Sequence, residues 1–241
     1  MPTNKTIAIW GKNNSGKTTL AINLAAYLAQ NYNQLVGLIS AADYPEIPAY
    51  LNLTFPANKG LNAAINAQTE HVKNFYVEAI KDSSFYLLSP ASNCDSFELY
   101  GMDKASGHRI IQESKEVFDV VIIDCNCNKN NALTGKGLAY SDTVIIPVHD
   151  DLAYPQWYQS NIRLFDFMKI RTKFVESKVN GYANTQSIFK AMGANPVSTL
   201  QYIRNAPAIT NEGGFLFKGG REQKIYESGL NTLWEVIRSG R

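Results

Sequence analysis

The chain has 241 residues, 45% of them hydrophobic and 18% charged, enough apolar material for a substantial core and a length suited to one α/β domain over residues 1–241. A formal net charge of +2 excludes a global field that would demand nucleic acid or an anionic membrane, so any such binding must be local. Three cysteines, Cys94, Cys125 and Cys127, are too few and odd in number for a secreted disulfide framework, and Cys125-x-Cys127 lacks the second pair of a zinc site. With no apolar signal segment and no run near the roughly 20 residues of a membrane span, a soluble, cytoplasmic protein is expected.

Residues 6–10 read as a short buried strand and residues 18–29 as a helix with Leu20, Leu24, Tyr27 and Leu28 on one face. Between them Gly11, Lys12, Asn13, Asn14, Ser15, Gly16, Lys17, Thr18 and Thr19 fit G-x-x-x-x-G-K-[ST], a phosphate-binding loop in its required strand-to-helix context. A triphosphate must be wrapped by backbone N–H groups, and Gly11 and Gly16 let the backbone approach. The helix adds its positive dipole end, Lys17 reaches the β and γ phosphates of ATP, and the Thr18 hydroxyl ligates Mg²⁺.

Residues 35–40 read as the second strand, 41–48 as a turn-rich segment where a nucleotide switch belongs, and 49–53 as a short apolar piece. One or two helices over 60–80, a strand over 84–88 and a helix over 104–116 follow. The apolar run 118–124 ends in a carboxylate, the pattern of a buried parallel strand that delivers Asp124 to the phosphate edge as the Walker B residue. A strand over 143–148, a helix over 155–168, an irregular stretch over 169–181 with strand hints at Val175 and Val179, a helix over 185–192 and a strand over 197–203 come next. The glycine pairs Gly213-Gly214 and Gly219-Gly220 bracket a loop before a last helix over 221–238. Alternating strands and helices predict a doubly wound, mostly parallel sheet flanked by helices on both faces.

With Lys12 in its second position, the loop resembles the deviant Walker A motif of the ParA/MinD superfamily, and residues 118–124 and 141–148 are similar to two further strands of that family. The resemblance implies a P-loop ATPase in which Lys12 reaches the partner subunit's nucleotide across a homodimer formed with ATP. Asn13 and Asn14 replace the family's usual glycine pair, a departure that Asn tolerates better than most residues because it accepts positive φ. Residues 205–209, followed by Gly213 and Gly214, are similar to the segment that passes the adenine, which implies base contacts from Asn205 and Pro207. Residues 46–53 and 60–65 look most like the CpaE/TadZ branch, without the receiver-like module common there. The family's second strand ends in two switch carboxylates; here Ser40 and Ala42 fall on those positions, and Asp43, one residue on, is the only nearby replacement. The expected role is therefore an ATP-dependent dimerising switch with weak hydrolysis at most, recruiting or positioning a larger assembly such as pilus, secretion or conjugation machinery. Two alternatives stay open. One is a DNA-segregation ATPase that binds nonspecific DNA through Arg163, Lys169, Arg171, Lys173 and Lys178 or through Lys218, Arg221, Lys224, Arg238 and Arg241. The other, less favoured, is membrane positioning through the apolar stripe Leu230, Leu233, Trp234 and Ile237.

Overall fold

The computed structural model describes residues 4–56, 58–67, 69–92, 94–179 and 184–240. β1 (Lys5–Ile9) leads through the glycine-bearing loop into α1 (Lys17–Asn31); β2 (Val36–Ser40) precedes the short helices α2 (Glu46–Tyr50) and α3 (Leu61–Asn66). A two-residue β3 (Val77–Glu78), β4 (Phe85–Leu88), α4 (Ser96–Tyr100), α5 (Lys104–Val117) and β5 (Val120–Asp124) follow. The chain continues through α6 (Ala132–Tyr140), β6 (Thr143–Val148), α7 (Tyr154–Ser160), α8 (Ile162–Met168), β7 (Thr172–Val179) and α9 (Thr185–Met192). It closes with β8 (Pro196–Gln201), α10 (Ala206–Asn211) and α11 (Arg221–Ser239).

The eight strands form one sheet in the order β3-β4-β2-β5-β1-β6-β7-β8, parallel except for the antiparallel β3–β4 pair. Its register places the functional loops. Ile9 pairs with Asp124 and Asp124 with Ser40, so the carboxyl ends of β1, β5 and β2 stop level with one another. Ligands of open α/β sheets bind beyond such ends. Side chains alternate across the sheet: Ile7 and Ile9 join the core under α1 and α11, whereas Ala8 and Trp10 join the core on the opposite face. The stripe Leu230, Leu233, Trp234 and Ile237 lies in the first of these cores, at most 4% exposed, so it packs α11 on the sheet and is not free to lie on lipid. No helix among the described residues is long and apolar enough to cross a membrane.

Several elements depart from the sequence reading. The helix expected over 155–168 is two, broken at Asn161, whose side chain donates to the Trp157 carbonyl in place of continuous helical bonding. Residues 46–50, which include part of the short apolar piece, form α2. Helix α6 escapes sequence reading because two glycines lower its propensity; at Gly137 a Cβ would come within 3.2 Å of Ile123 Cδ1, so the helix lies close on β5 there. Of the irregular stretch 169–181, residues 169–171 form a 3-10 turn and 172–179 form strand β7, and residues 180 and 181 lie outside the described ones.

Candidate functional site

The loop 11–16 turns back over the end of β1 because two residues adopt left-handed backbone, Asn14 with φ 61° and Gly16 with φ 87°. Asn14 thus takes the role of a glycine in the resembling motif, as its tolerance of positive φ predicts. Gly16 caps α1 without a side-chain hydrogen bond, and the first turn holds no acidic residue. The helix therefore presents unsatisfied N–H groups and its positive end to the space beside the loop, an arrangement suited to an anion.

That space is a cavity of about 520 Å³ lined by Asn13, Asn14, Gly16, Lys17, Thr18 and Thr19 from the loop and α1, by Ala42, Asp43, Tyr44, Glu46 and Tyr50 after β2, by residues 124–127 after β5, and by Lys178. Lys17 is largely buried; its ammonium donates to the Lys12 carbonyl at 3.0 Å and to Cys127 Sγ at 3.2 Å. Thr18 Oγ1 donates to Asp124 Oδ2 at 2.9 Å. The other oxygen, Asp124 Oδ1, is buried and without a hydrogen-bond partner. Burial pushes the Asp124 carboxyl up to about 7 against the lowering influence of Thr18 and Lys17. A buried carboxylate oxygen with no donor, beside a hydroxyl and the phosphate loop, fits the water shell of a hard divalent cation.

The remaining sequence-predicted residues divide. Asp43 lines the cavity, and Asn126 Nδ2 donates to its Oδ2 at 3.1 Å, so the loop after β2 does take the path that brings this carboxylate to the site. Lys12 does not line the cavity. It is ion-paired with Asp151, just beyond β6, and that bond holds the Asp151 carboxyl below its usual range. Ser40 is fully buried inside β2, and Ala42 lines the cavity without offering a carboxylate. Gly11 and Ser15 are the buried residues of the loop. Asn205 and Pro207 stand at the start of α10, outside the wall of this cavity. Cys125 is buried and Cys127 touches Lys17; no group of three or more metal-ligating side chains occurs among the described residues.

Sequence reading missed Asp151 and Asn126, and gave Lys178 only as part of a basic stretch that could bind DNA. Asp151 carries a signal in hindsight, an acidic pair just beyond the carboxyl end of a buried strand. Lys178 carries none, since its strand is polar and irregular.

No curated protein sequence matches the chain. Among solved structures, the septum site-determining protein MinD from Pyrococcus horikoshii, complexed with Mg-ADP, superposes with TM-score 0.78 at 14% identity, covering 98% of each chain. A chain of the MinC:MinD cell division protein complex from Aquifex aeolicus gives TM-score 0.78 at 17% identity over 96% of each chain. A ParA family ATPase from Chlorobium tepidum gives 0.77 at 15% identity, covering 95% of this chain and 99% of that one. These likenesses establish the fold. The AAA domain family model matches residues 4–156, which contain the phosphate loop, the turn-rich segment 41–48 and Asp124. By that match and this fold the chain belongs to the AAA domain family, in the ParA/MinD superfamily of P-loop proteins.

Proposed function

We propose that residues 1–241 act as one ATP-binding unit whose MgATP-bound form dimerises and recruits or positions a larger protein assembly, with slow hydrolysis resetting it. The observation that carries this reading is the convergence on one cavity of the open α1 N-terminus, Lys17, and the Thr18–Asp124 pair with its unpartnered carboxylate oxygen. Backbone N–H groups of the loop hold the phosphate oxygens, and the Lys17 ammonium leaves the Lys12 carbonyl and Cys127 to meet the β and γ phosphates. A bound Mg²⁺ supplies charge neutralisation there; Thr18 Oγ1 and Asp124 Oδ1 are the atoms that would hold it and its water. The MinD from Pyrococcus horikoshii with Mg-ADP supports this ligand class, and the MinC:MinD complex supports a protein partner.

Lys12 is held in its own subunit by Asp151. In the proposed cycle it exchanges that carboxylate for the γ phosphate of a second copy, which makes dimerisation depend on the nucleotide. Asp43, held by Asn126, orients the attacking water. The test is the oligomeric state by light scattering with ADP, ATP and a nonhydrolysable ATP analogue. The parent is expected to dimerise with ATP and the analogue only, and Lys12→Ala to bind nucleotide but stay monomeric. A parent that is monomeric throughout, or a Lys12→Ala variant that dimerises like it, overturns the proposal. Adding duplex DNA and pilus or secretion components in separate arms distinguishes partition from positioning.

A further inference from the structure

Strand β7 ends in the polar run Glu176, Ser177 and Lys178, where its register against β8 slips between Glu176 and Val179. Lys178 takes φ 55°, a left-handed conformation that a residue with a Cβ adopts only where the surroundings impose it. The turn aims two successive side chains at the phosphate loop. Ser177 Oγ donates to the Ser15 carbonyl at 3.2 Å, and Lys178 Nζ donates to the Asn14 carbonyl at 2.7 Å. The Lys178 stem runs along the loop so closely that a Cβ on Gly16 would sit 3.6 Å from its Cε.

Its side chain therefore lines the same cavity as Lys17 and Thr18. An ammonium has three donors, and the Asn14 carbonyl takes one. No carboxylate of the described residues forms an ion pair with it. Partial desolvation, reinforced by the nearby Lys17 and opposed by Asp150, holds its pKa below the ordinary lysine value. Two ammonium groups that face one space repel each other until an anion lies between them. Lys178 lies along the Asn14–Gly16 arc of the loop, the stretch whose backbone N–H groups would wrap the phosphates.

We propose that Lys178 is a phosphate-binding residue of the nucleotide site, meeting the diphosphate that ADP and ATP share while it ties the loop through Asn14. This rests on the nucleotide-binding reading and adds a second lysine from the same subunit to it. Because Lys12 is bound to Asp151 within the monomer, Lys178 is the second lysine that serves nucleotide before any dimer forms.

Calorimetric titration of the full chain with MgADP and MgATP, comparing Lys178→Met, Lys178→Gln and Lys178→Arg, tests it. Met and Gln should each weaken both nucleotides by about tenfold, and Arg should keep most of the affinity, since charge and not shape is lost. Thermal unfolding without nucleotide checks that each variant is folded. Gln can still donate to the Asn14 carbonyl, so parental affinity in Lys178→Gln would show a brace without a phosphate contact and overturn the proposal. Parental affinity in Lys178→Met, or loss confined to ATP, would overturn it as well. A parent that binds no nucleotide defeats the nucleotide-binding reading itself, whereas binding abolished by Lys17→Ala and untouched in the Lys178 variants defeats only this inference.

Discussion

On the phosphate side of the cavity one contiguous segment, residues 11–19, supplies the wrapping loop, Lys17, the hydroxyl and the helix end, with Asp124 from β5 and Lys178 from β7 beside it. On the switch side two loops distant in sequence hold each other: Asn126 donates to Asp43, and Asn131 Nδ2 donates to the Ala41 carbonyl at 3.3 Å. The first side is fixed by covalent continuity and a buried strand end. The second depends on side-chain bonds between solvent-facing loops, which a nucleotide or a partner protein can remake at small cost. Affinity and turnover are thus carried by separable parts of the molecule, and substitutions on the two sides should behave differently.

The largest effect is expected on the phosphate side. Lys17→Ala removes the one buried cation under the loop and should lower MgATP affinity by about 100-fold or more, read by calorimetry. Affinity within threefold of the parent would break the comparison outright, because the local segment would then not be where binding energy resides.

Asp124 sharpens it by pH. Its folded pKa of about 7 lies above the ordinary 3.8, so between these values the folded chain holds a proton that the unfolded chain has released. Stability of the nucleotide-free protein therefore falls as pH rises through that window, and above it the full cost of a buried carboxylate is present. Asp124→Asn should raise the unfolding midpoint at pH 8 by roughly 3 °C or more and leave it nearly unchanged at pH 4. The same variant should lose Mg²⁺ dependence of nucleotide binding, because an amide holds the metal's water less well. A midpoint at pH 8 equal to or below the parent's would show that the carboxylate is solvated in solution.

The division between the two sides also explains what could be read from the chain before folding. Residues 6–29 and 118–124 declare themselves because motif, apolar run and helix face are local, and the structure places Lys17, Thr18 and Asp124 together. The alternation of strands and helices likewise specifies the sheet. Which distant residues pair leaves no such trace, even where one partner, Lys12 or Asp43, stands out in the sequence. Lys12 pairs with Asp151 across 139 positions, Asn126 meets Asp43 across 83, and Lys178 meets Asn14 across 164. A polar strand such as β7 hides between two neighbours because its stability comes from its ladders and not from its own apolar pattern. Helix α6 hides behind two glycines, Gly137 close against Ile123 of β5 and Gly135 against the Lys129 carbonyl.

The smallest effect, and the one that tests the switch side, is on hydrolysis. In-line attack needs a group that orients water at the γ phosphate, and positioning is a large part of phosphoryl transfer. Ser40 is locked in β2 at the level of Asp124, and Ala42 has no polar side chain, so neither can do this. Asp43 is within the cavity, with Oδ2 held by Asn126 and acceptor sites left for a water, but it stands one residue beyond the position where the resembling family carries its switch carboxylate. The parent should therefore release phosphate slowly, and Asp43→Ala should slow it by about tenfold while MgATP affinity stays within a factor of two. Asn126→Ala, which leaves the carboxylate in place but unheld, should give an intermediate rate. Ala42→Asp puts a carboxylate at the cavity wall without that tether and should raise turnover above the parent. Steady-state phosphate release for the four proteins, each with and without DNA or candidate partners, decides the matter. A fast parent indifferent to Asp43→Ala would mean that the two loops do not set the rate, and that the contrast between the sides of the cavity ends at binding.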